Sequence, residues 1–197
     1  MNDSPIRLSR HDALIVVDVQ NDFLPGGALA VPEGDRVLEP LNRYIEAFRA
    51  SAQPIYATRD WHPADHCSFR AQGGPWPPHC VAETAGAGFA PALELPANAT
   101  IVSKATRPNA DAYSGFGGTR LAALLREDGV TRLFIGGLAT DYCVLNTVKD
   151  ALALGFEVRL LSDAIRAVNV QPDDGARAQA EMLGLGARPT RLADLAR

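Results

Sequence analysis

The sequence has few cysteines and no apolar run long enough to cross a bilayer. Its three cysteines are odd in number and form no Cys-x-x-Cys pair, so we expect no disulfide framework and a reducing, cytoplasmic setting. The N-terminus shows no signal-peptide pattern. Lys and Arg form no cluster and the formal net charge is -4, so we expect no nucleic-acid partner. Membrane-spanning proteins, disulfide-rich secreted domains and nucleic-acid binders are therefore disfavoured.

Apolar residues are abundant enough for a full core. Because 47% of the 197 residues are hydrophobic and no linker interrupts them, residues 1–197 are expected to form one domain. Strands are predicted at residues 13–17, 54–58, 98–103, 133–135 and 156–161, with a weak edge strand at 186–190 that contains Pro189. Helices are predicted after an Asp35 cap and at about 119–128, 141–155 and 173–185. This alternation predicts a three-layer α/β/α fold with a mostly parallel central sheet.

Reactive side chains follow four of the predicted strands: Asp18, Asp60, Lys104 and Cys143. The carboxyl ends of parallel strands share one edge of a sheet, where ligand crevices form, so an enzyme is favoured over a structural domain. A thiol nucleophile, a carboxylate that takes its proton and a cation that stabilises negative charge form a coherent set. Cys143 is expected in the first turn of a helix, which would favour its thiolate. The alternative is that Cys143 is a small buried apolar residue.

A second group of residues suits a metal ion. Asp60 and His62 are two residues apart in an extended segment and therefore point to the same side. With His79, from a proline-stiffened loop, they give a mixed O/N ligand set for one divalent ion such as zinc, iron or manganese. His66 is either a fourth ligand or an outer-shell residue. Cys67 and Cys80 lie beside these candidates, so a structural Cys/His zinc site is a further alternative.

Several motifs occur in order along the chain: IVVDVQNDF at 15–23, RDWHP at 59–63, WPPHC at 76–80, Lys104, YSGF at 113–116 and GLATDYCV at 137–144. Together they resemble the nicotinamidase/pyrazinamidase family of isochorismatase-like cysteine hydrolases. The resemblance runs in order from about residue 13 to residue 186. Any single motif would be weak evidence, whereas the combination is specific. The resemblance implies the isochorismatase-like hydrolase fold.

The resemblance also implies a reaction. A triad of Asp18, Lys104 and Cys143 would hydrolyse nicotinamide to nicotinate and ammonia through a Cys thioester. Asp18 would take the thiol proton, and Lys104 would stabilise the thiolate and the developing charge. Backbone N–H groups of Ala139 and Cys143 would hold the oxyanion, and the peptide bond before Ala139 would be cis.

The resemblance further assigns the metal and the pocket. Asp60, His62 and His79 match the family's metal ligands, and the metal there orients the pyridine ring without generating the attacking group. Pyrazinamide would be a second substrate, and the chain could form a homo-oligomer. The family's ring-packing aromatics correspond to Phe23, Trp76 and Tyr113. Without the resemblance, these aromatics would be interpreted as core or loop packing.

Other functions remain open at the level of the sequence. A carbamoyl or ureido amide hydrolase would use the same triad but generally lacks the metal ligands, and isochorismatase itself does not need Cys143. A metallohydrolase would activate water on the metal and leave Cys143 inert. A small-molecule binding module would not need an activated thiol, and a redox sensor would need a resolving thiol near Cys143.

Overall fold

The computed structural model describes residues 5–196. Its six-stranded sheet has the order β3-β2-β1-β4-β5-β6, and every pairing is parallel. The strands are β1 (Asp12–Val17), β2 (Ile55–Asp60), β3 (Thr100–Lys104), β4 (Arg132–Leu138), β5 (Glu157–Arg166) and β6 (Arg188–Thr190). The helices are α1 (Leu38–Ala50), α2 (Leu121–Glu127), α3 (Leu145–Ala153) and α4 (Asp174–Gly184). The predicted α/β fold with a parallel sheet is confirmed.

Helices cover both faces of the sheet, and the side chains of each strand alternate between the two cores that result. Leu14 and Val16 of β1 pack in one core with the apolar face of α1. Ala13, Ile15 and Val17 pack in the other core, which contains buried residues of α2, α3 and α4. No helix within residues 5–196 is long and apolar enough to cross a membrane.

The helix cap and the strand at 156–161 differ from the predictions, whereas the edge strand is confirmed. The Asp35 cap is wrong, because a 3-10 turn at Gly34–Val37 contains Asp35 and α1 starts only after it. Strand β5 extends beyond the predicted residue 161 to Arg166. The weak edge strand does form as β6, where Pro189 is tolerated because one side of an edge strand needs no backbone donor.

The chain order places a crevice between β1 and β4. From β1 the chain builds outward through β2 and β3, then returns to place β4 on the other side of β1. Ligands of open parallel sheets bind at such a switch point, beyond the carboxyl ends of the strands. At this end Gly137 pairs with Val17, and a Cβ on Gly137 would lie 2.1 Å from the Val17 carbonyl oxygen. Only glycine permits this close approach, since Gly137 also has a φ of +126°.

Candidate active site

The three predicted catalytic side chains meet at the carboxyl edge of the sheet. Asp18 directly follows β1, Lys104 is the last residue of β3, and Cys143 lies in the turn after β4. All three are buried. Lys104 Nζ lies 3.0 Å from Asp18 Oδ2 and 3.5 Å from Cys143 Sγ, toward which it donates a hydrogen bond. The ammonium therefore lies between the carboxylate and the thiol.

One carboxylate oxygen of Asp18 accepts a directed hydrogen bond, and the other does not. Thr58 Oγ1 donates a 2.7 Å hydrogen bond to Oδ1. Oδ2 accepts no directed hydrogen bond from any residue that the structure describes, although Lys104 Nζ is near it. Burial raises the pKa of Asp18, and the Asp60 charge adds to this effect, while Lys104 and Thr58 oppose it. A carboxylate of raised pKa is a better acceptor for a thiol proton.

Cys143 lies in the first turn of a helix, as predicted, and this turn, Thr140–Val144, is π-helical and continues directly into α3. The Ala139 carbonyl closes this turn by accepting the N–H groups of Tyr142 and Val144, each at 3.1 Å. The Leu138–Ala139 peptide bond is cis, as the family resemblance implies.

Burial of Cys143 opposes the thiolate that the helix-end position was expected to favour. Burial raises the pKa of the Cys143 thiol well above its usual value; Lys104 opposes this, and the Asp18 and Asp60 charges add to it. The raised pKa favours the protonated thiol, so formation of the thiolate requires a proton acceptor.

Lys104 is not a surface lysine with an exposed head group. Its ammonium donates hydrogen bonds to Asp60 Oδ1 and, at 3.2 Å, to the Ala112 carbonyl. Burial alone would lower the pKa of Lys104, but the Asp18 and Asp60 carboxylates outweigh burial and hold that pKa well above its usual value. Lys104 is thus a permanent positive charge inside the site.

Asp60, His62 and His79 form a cluster of candidate metal ligands. Each offers a ligand atom, and these atoms lie within 4.8 Å of one another. His62 Nδ1 lies 3.3 Å from the Ala105 carbonyl, and His79 Nδ1 lies 2.8 Å from the Pro77 carbonyl. A carbonyl accepts only from a protonated Nδ1, which leaves each Nε2 lone pair for a metal. Burial also lowers the pKa of His79, which favours the neutral, ligating form. The cluster therefore fits a divalent ion.

His66 does not belong to this cluster. Its ring stacks on that of His62 with centroids 4.2 Å apart. Nδ1 lies 2.7 Å from Ser68 Oγ, and Nε2 lies 3.3 Å from the Ala110 carbonyl, so both ring nitrogens have partners. The geometry therefore supports the outer-shell interpretation.

The alternative of a structural Cys/His zinc site finds no support in the part of the chain described, 5–196. Neither Cys67 nor Cys80 contributes to a group of three clustered ligand atoms within those residues. Both are free thiols, and Cys80 is fully buried.

Phe23, Trp76 and Tyr113 all line one cavity together with the metal-ligand cluster and Cys143. Trp76 Nε1 donates a 3.0 Å hydrogen bond to the Tyr113 hydroxyl. Tyr142, which sequence reasoning missed, packs against both rings, with centroids 5.2 Å from Trp76 and 5.6 Å from Tyr113. The signal for Tyr142 was its position beside Cys143. The other lining residues that sequence reasoning missed come from loops without periodicity: Leu29, Val31, Ser68, Asp111, Ala112 and Val168.

Sequence reasoning also missed Gln20. Its fully buried side chain accepts the Asp60 N–H at 2.8 Å and donates to the Asp60 carbonyl at 2.8 Å. Its amide also donates to the Ala87 carbonyl at 2.9 Å. One side chain thus satisfies both backbone groups of a candidate metal ligand. The signal was the place of Gln20 in the motif that follows β1.

The family model for the isochorismatase domain matches residues 12–194. The chain belongs to the isochorismatase family. The nicotinamidase of Escherichia coli (strain K12) is 42% identical to this family member over 203 residues, which cover 92% of this chain and 95% of that relative. The resemblance drawn from the motifs is confirmed.

Solved structures of isochorismatase-like proteins agree. The crystal structure of the pyrazinamidase of Pyrococcus horikoshii in complex with zinc matches with a TM-score of 0.89 and 53% identity, over 92% of this chain and 99% of that one. An L. infantum protein solved in complex with nicotinate matches with a TM-score of 0.90 and 38% identity, over 98% of both chains.

Proposed function

We propose that this chain is an amidohydrolase that converts nicotinamide to nicotinate and ammonia. The observation that carries the proposal is that Cys143 lines an aromatic-lined cavity beside three metal ligands, with Lys104 in contact with its sulfur and Asp18 in contact with Lys104. The similarity to a nicotinamidase over nearly the whole chain supports the same reaction.

The reaction follows from the positions of the triad. Asp18 accepts the Cys143 proton, and the sulfur attacks the carboxamide carbon to form a tetrahedral oxyanion. The backbone N–H groups of Ala139 and Cys143 hold this oxyanion, and Lys104 offsets the negative charge. The C–N bond then breaks, and the departing nitrogen takes the proton from Asp18 and leaves as ammonia. Asp18 next takes a proton from water, which cleaves the thioester and releases nicotinate, and the thiol regains that proton.

Asp60, His62 and His79 would hold one divalent metal ion, for which zinc, iron and manganese are the candidates. Zinc is favoured because the similar pyrazinamidase of P. horikoshii was solved with zinc. When bound, the ion supplies a Lewis acid for the nitrogen of the pyridine ring and so fixes the orientation of the ring. Phe23, Trp76 and Tyr113 would enclose that ring by packing against its faces and edges.

The same site suits pyrazinamide, whose ring also presents a nitrogen to the metal. A carbamoyl or ureido amidase is a weaker alternative, because those substrates have no aromatic ring to fill the apolar cavity. A cytoplasmic location is proposed because Cys67, Cys80 and Cys143 are all free thiols. Homo-oligomer formation stays a prediction.

Ammonia release from nicotinamide tests the proposal. The zinc-loaded wild type should release ammonia, and Cys143→Ala should lose on the order of 10⁴-fold or more in rate, because no other group can form the thioester. Cys67→Ala is the matched control, since it removes a half-buried thiol that does not line the cavity, and it should retain activity.

Two outcomes would contradict parts of the proposal. Wild type that releases no ammonia would exclude nicotinamide and direct attention to carbamoyl and ureido amides. Equal release by wild type and Cys143→Ala would overturn the nucleophile and favour a metal-activated water.

A further inference from the structure

Lys104 lies inside a second cluster of metal-ligand atoms. Asp18, Asp60 and Cys143 each offer one ligand atom, and these atoms lie within 4.8 Å of one another. All three side chains are buried. Asp60 belongs to this cluster and also to the His62/His79 cluster. Its Oδ1 pairs with Lys104, whereas its Oδ2 lies 3.7 Å from His62 Nε2.

The second cluster has the chemistry of a site for thiophilic metals. A thiolate and two carboxylates are ligands that zinc and similar ions accept. Ligand atoms of a tetrahedral zinc ion stand about 3.3 to 3.8 Å apart, given its bond lengths. The ligand atoms of the cluster lie within 4.8 Å of one another, so the three side chains would have to draw closer together to bind an ion. Moreover, Asp18 Oδ2 is fully buried and has no directed hydrogen bond within residues 5–196, so it needs a cation.

That cation is the Lys104 ammonium. Its Nζ lies 3.0 Å from Asp18 Oδ2 and 3.5 Å from Cys143 Sγ, and it is in direct contact with Asp60 Oδ1. A single positive charge therefore contacts all three donors and occupies the position that an ion would take. Its side chain has no exposed surface, so solvent does not compete for the same place.

We propose that Lys104 is a tethered cation that fills a second metal site formed by Asp18, Asp60 and Cys143, and so keeps thiophilic metal ions off the thiol. An ion held by Asp60, His62 and His79 would then remain on the side of Asp60 that faces the two histidines. A metal on Cys143 would displace the thiol proton and block the nucleophile. This inference goes beyond the proposed reaction, because it concerns which ions the site excludes and does not depend on the substrate.

Cadmium titration of the chelator-stripped protein tests the inference, because a cadmium–thiolate bond gives a charge-transfer band in the ultraviolet. We expect wild type to bind one ion without a band that depends on Cys143. Lys104→Leu removes the charge without adding a ligand, so it should bind two ions, the second with such a band. Lys104→Leu/Cys143→Ser should lose that band, which separates Cys143 from Cys67 and Cys80.

Two results would overturn the inference. One is a Cys143-dependent band in wild type at two equivalents of cadmium. The other is a Lys104→Leu variant that binds one ion only. If Lys104→Leu does not fold without metal, cadmium should restore its circular dichroism spectrum, and the additional Cys143→Ser change should prevent that recovery. Failure of cadmium to restore the fold would also contradict the inference.

Wild type gives an independent measurement. The rate at which iodoacetamide alkylates Cys143, followed by peptide mass mapping, should not fall when cadmium is raised from one to ten equivalents. Protection of Cys143 over that range would show that Lys104 does not exclude the ion. A protein that fails to hydrolyse nicotinamide would leave this result unaffected, so the two proposals are tested separately.

Discussion

Asp18 receives opposing influences from the residues that surround it. Burial and the Asp60 charge raise its pKa, whereas the Lys104 ammonium and the Thr58 hydroxyl lower it. The net effect is a pKa above the usual Asp value of 3.8. The proposed reaction needs ionised Asp18 to accept the thiol proton. The value of kcat/KM should therefore fall as the pH drops through this raised pKa, and not only at the lower pH expected of an exposed Asp.

Thr58→Val provides a test at the level of one hydrogen bond. Removal of the Thr58 Oγ1 donor takes away a contact that favours the carboxylate, so the pKa of Asp18 should rise further. We expect the acidic limb of the kcat/KM profile to move to higher pH. Thr147→Val is the control, because Thr147 is also fully buried but its hydroxyl accepts the Gly115 N–H at 3.0 Å. An acidic limb that stays in place in Thr58→Val would argue against Asp18 as the base.

The elements that carry the site are held by contacts that no local pattern reveals. Strand register places Asp60 opposite Lys104 and Val17 opposite Thr58, so the ion pair and the Thr58–Asp18 hydrogen bond follow from sheet pairing. The sequence predicts which strands end in reactive groups, because apolar runs and the polar residues after them are local signals. It does not predict register.

The turn after β4 shows a second limit. The apolar positions Val144, Leu145 and Val148 predict a helix from about residue 141, and helical backbone does begin there. The same spacing fits a π-turn followed by an α-helix, so it could not distinguish the two. Burial of Cys143, which raises the pKa of its thiol, is likewise a tertiary property that the local sequence does not reveal.

Gln20 connects β2, which ends in the candidate metal ligand Asp60, with the loop that contains Ala87. Gln20→Glu keeps the shape of the side chain but removes the amide N–H group that donates hydrogen bonds to the Asp60 and Ala87 carbonyls. We expect zinc affinity, measured by competition with a chromophoric chelator, to fall about 10–100-fold, as for other outer-shell partners.

Asn42→Asp serves as the control for Gln20→Glu. The Asn42 amide joins backbone groups in the same way, donating to the Ala92 carbonyl at 2.9 Å and accepting the Glu94 N–H at 3.0 Å, but it does not line the cavity. The Asn42→Asp substitution should leave zinc affinity unchanged. Equal zinc affinity in Gln20→Glu and wild type would show that Gln20 serves only the fold.

At the scale of the whole molecule, sheet order brings the site together. The triad comes from the ends of β1, β3 and β4, and the metal ligands come from the end of β2 and the loops beyond it. Residues more than a hundred positions apart meet because all six strands run parallel and end at one edge. This convergence could be predicted from the sequence. The loop residues that close the cavity, such as Val31 and Val168, could not, because no periodicity links them to the sheet.

The central claim is that Cys143 carries the acyl group during turnover. Wild type loaded with zinc would be mixed with nicotinamide, quenched with acid at successive times and digested for mass spectrometry. We expect a transient nicotinoyl group on the peptide that contains Cys143, and none on the peptides of Cys67 or Cys80. Steady release of nicotinate by an enzyme whose Cys143 stays unmodified at every time would contradict it.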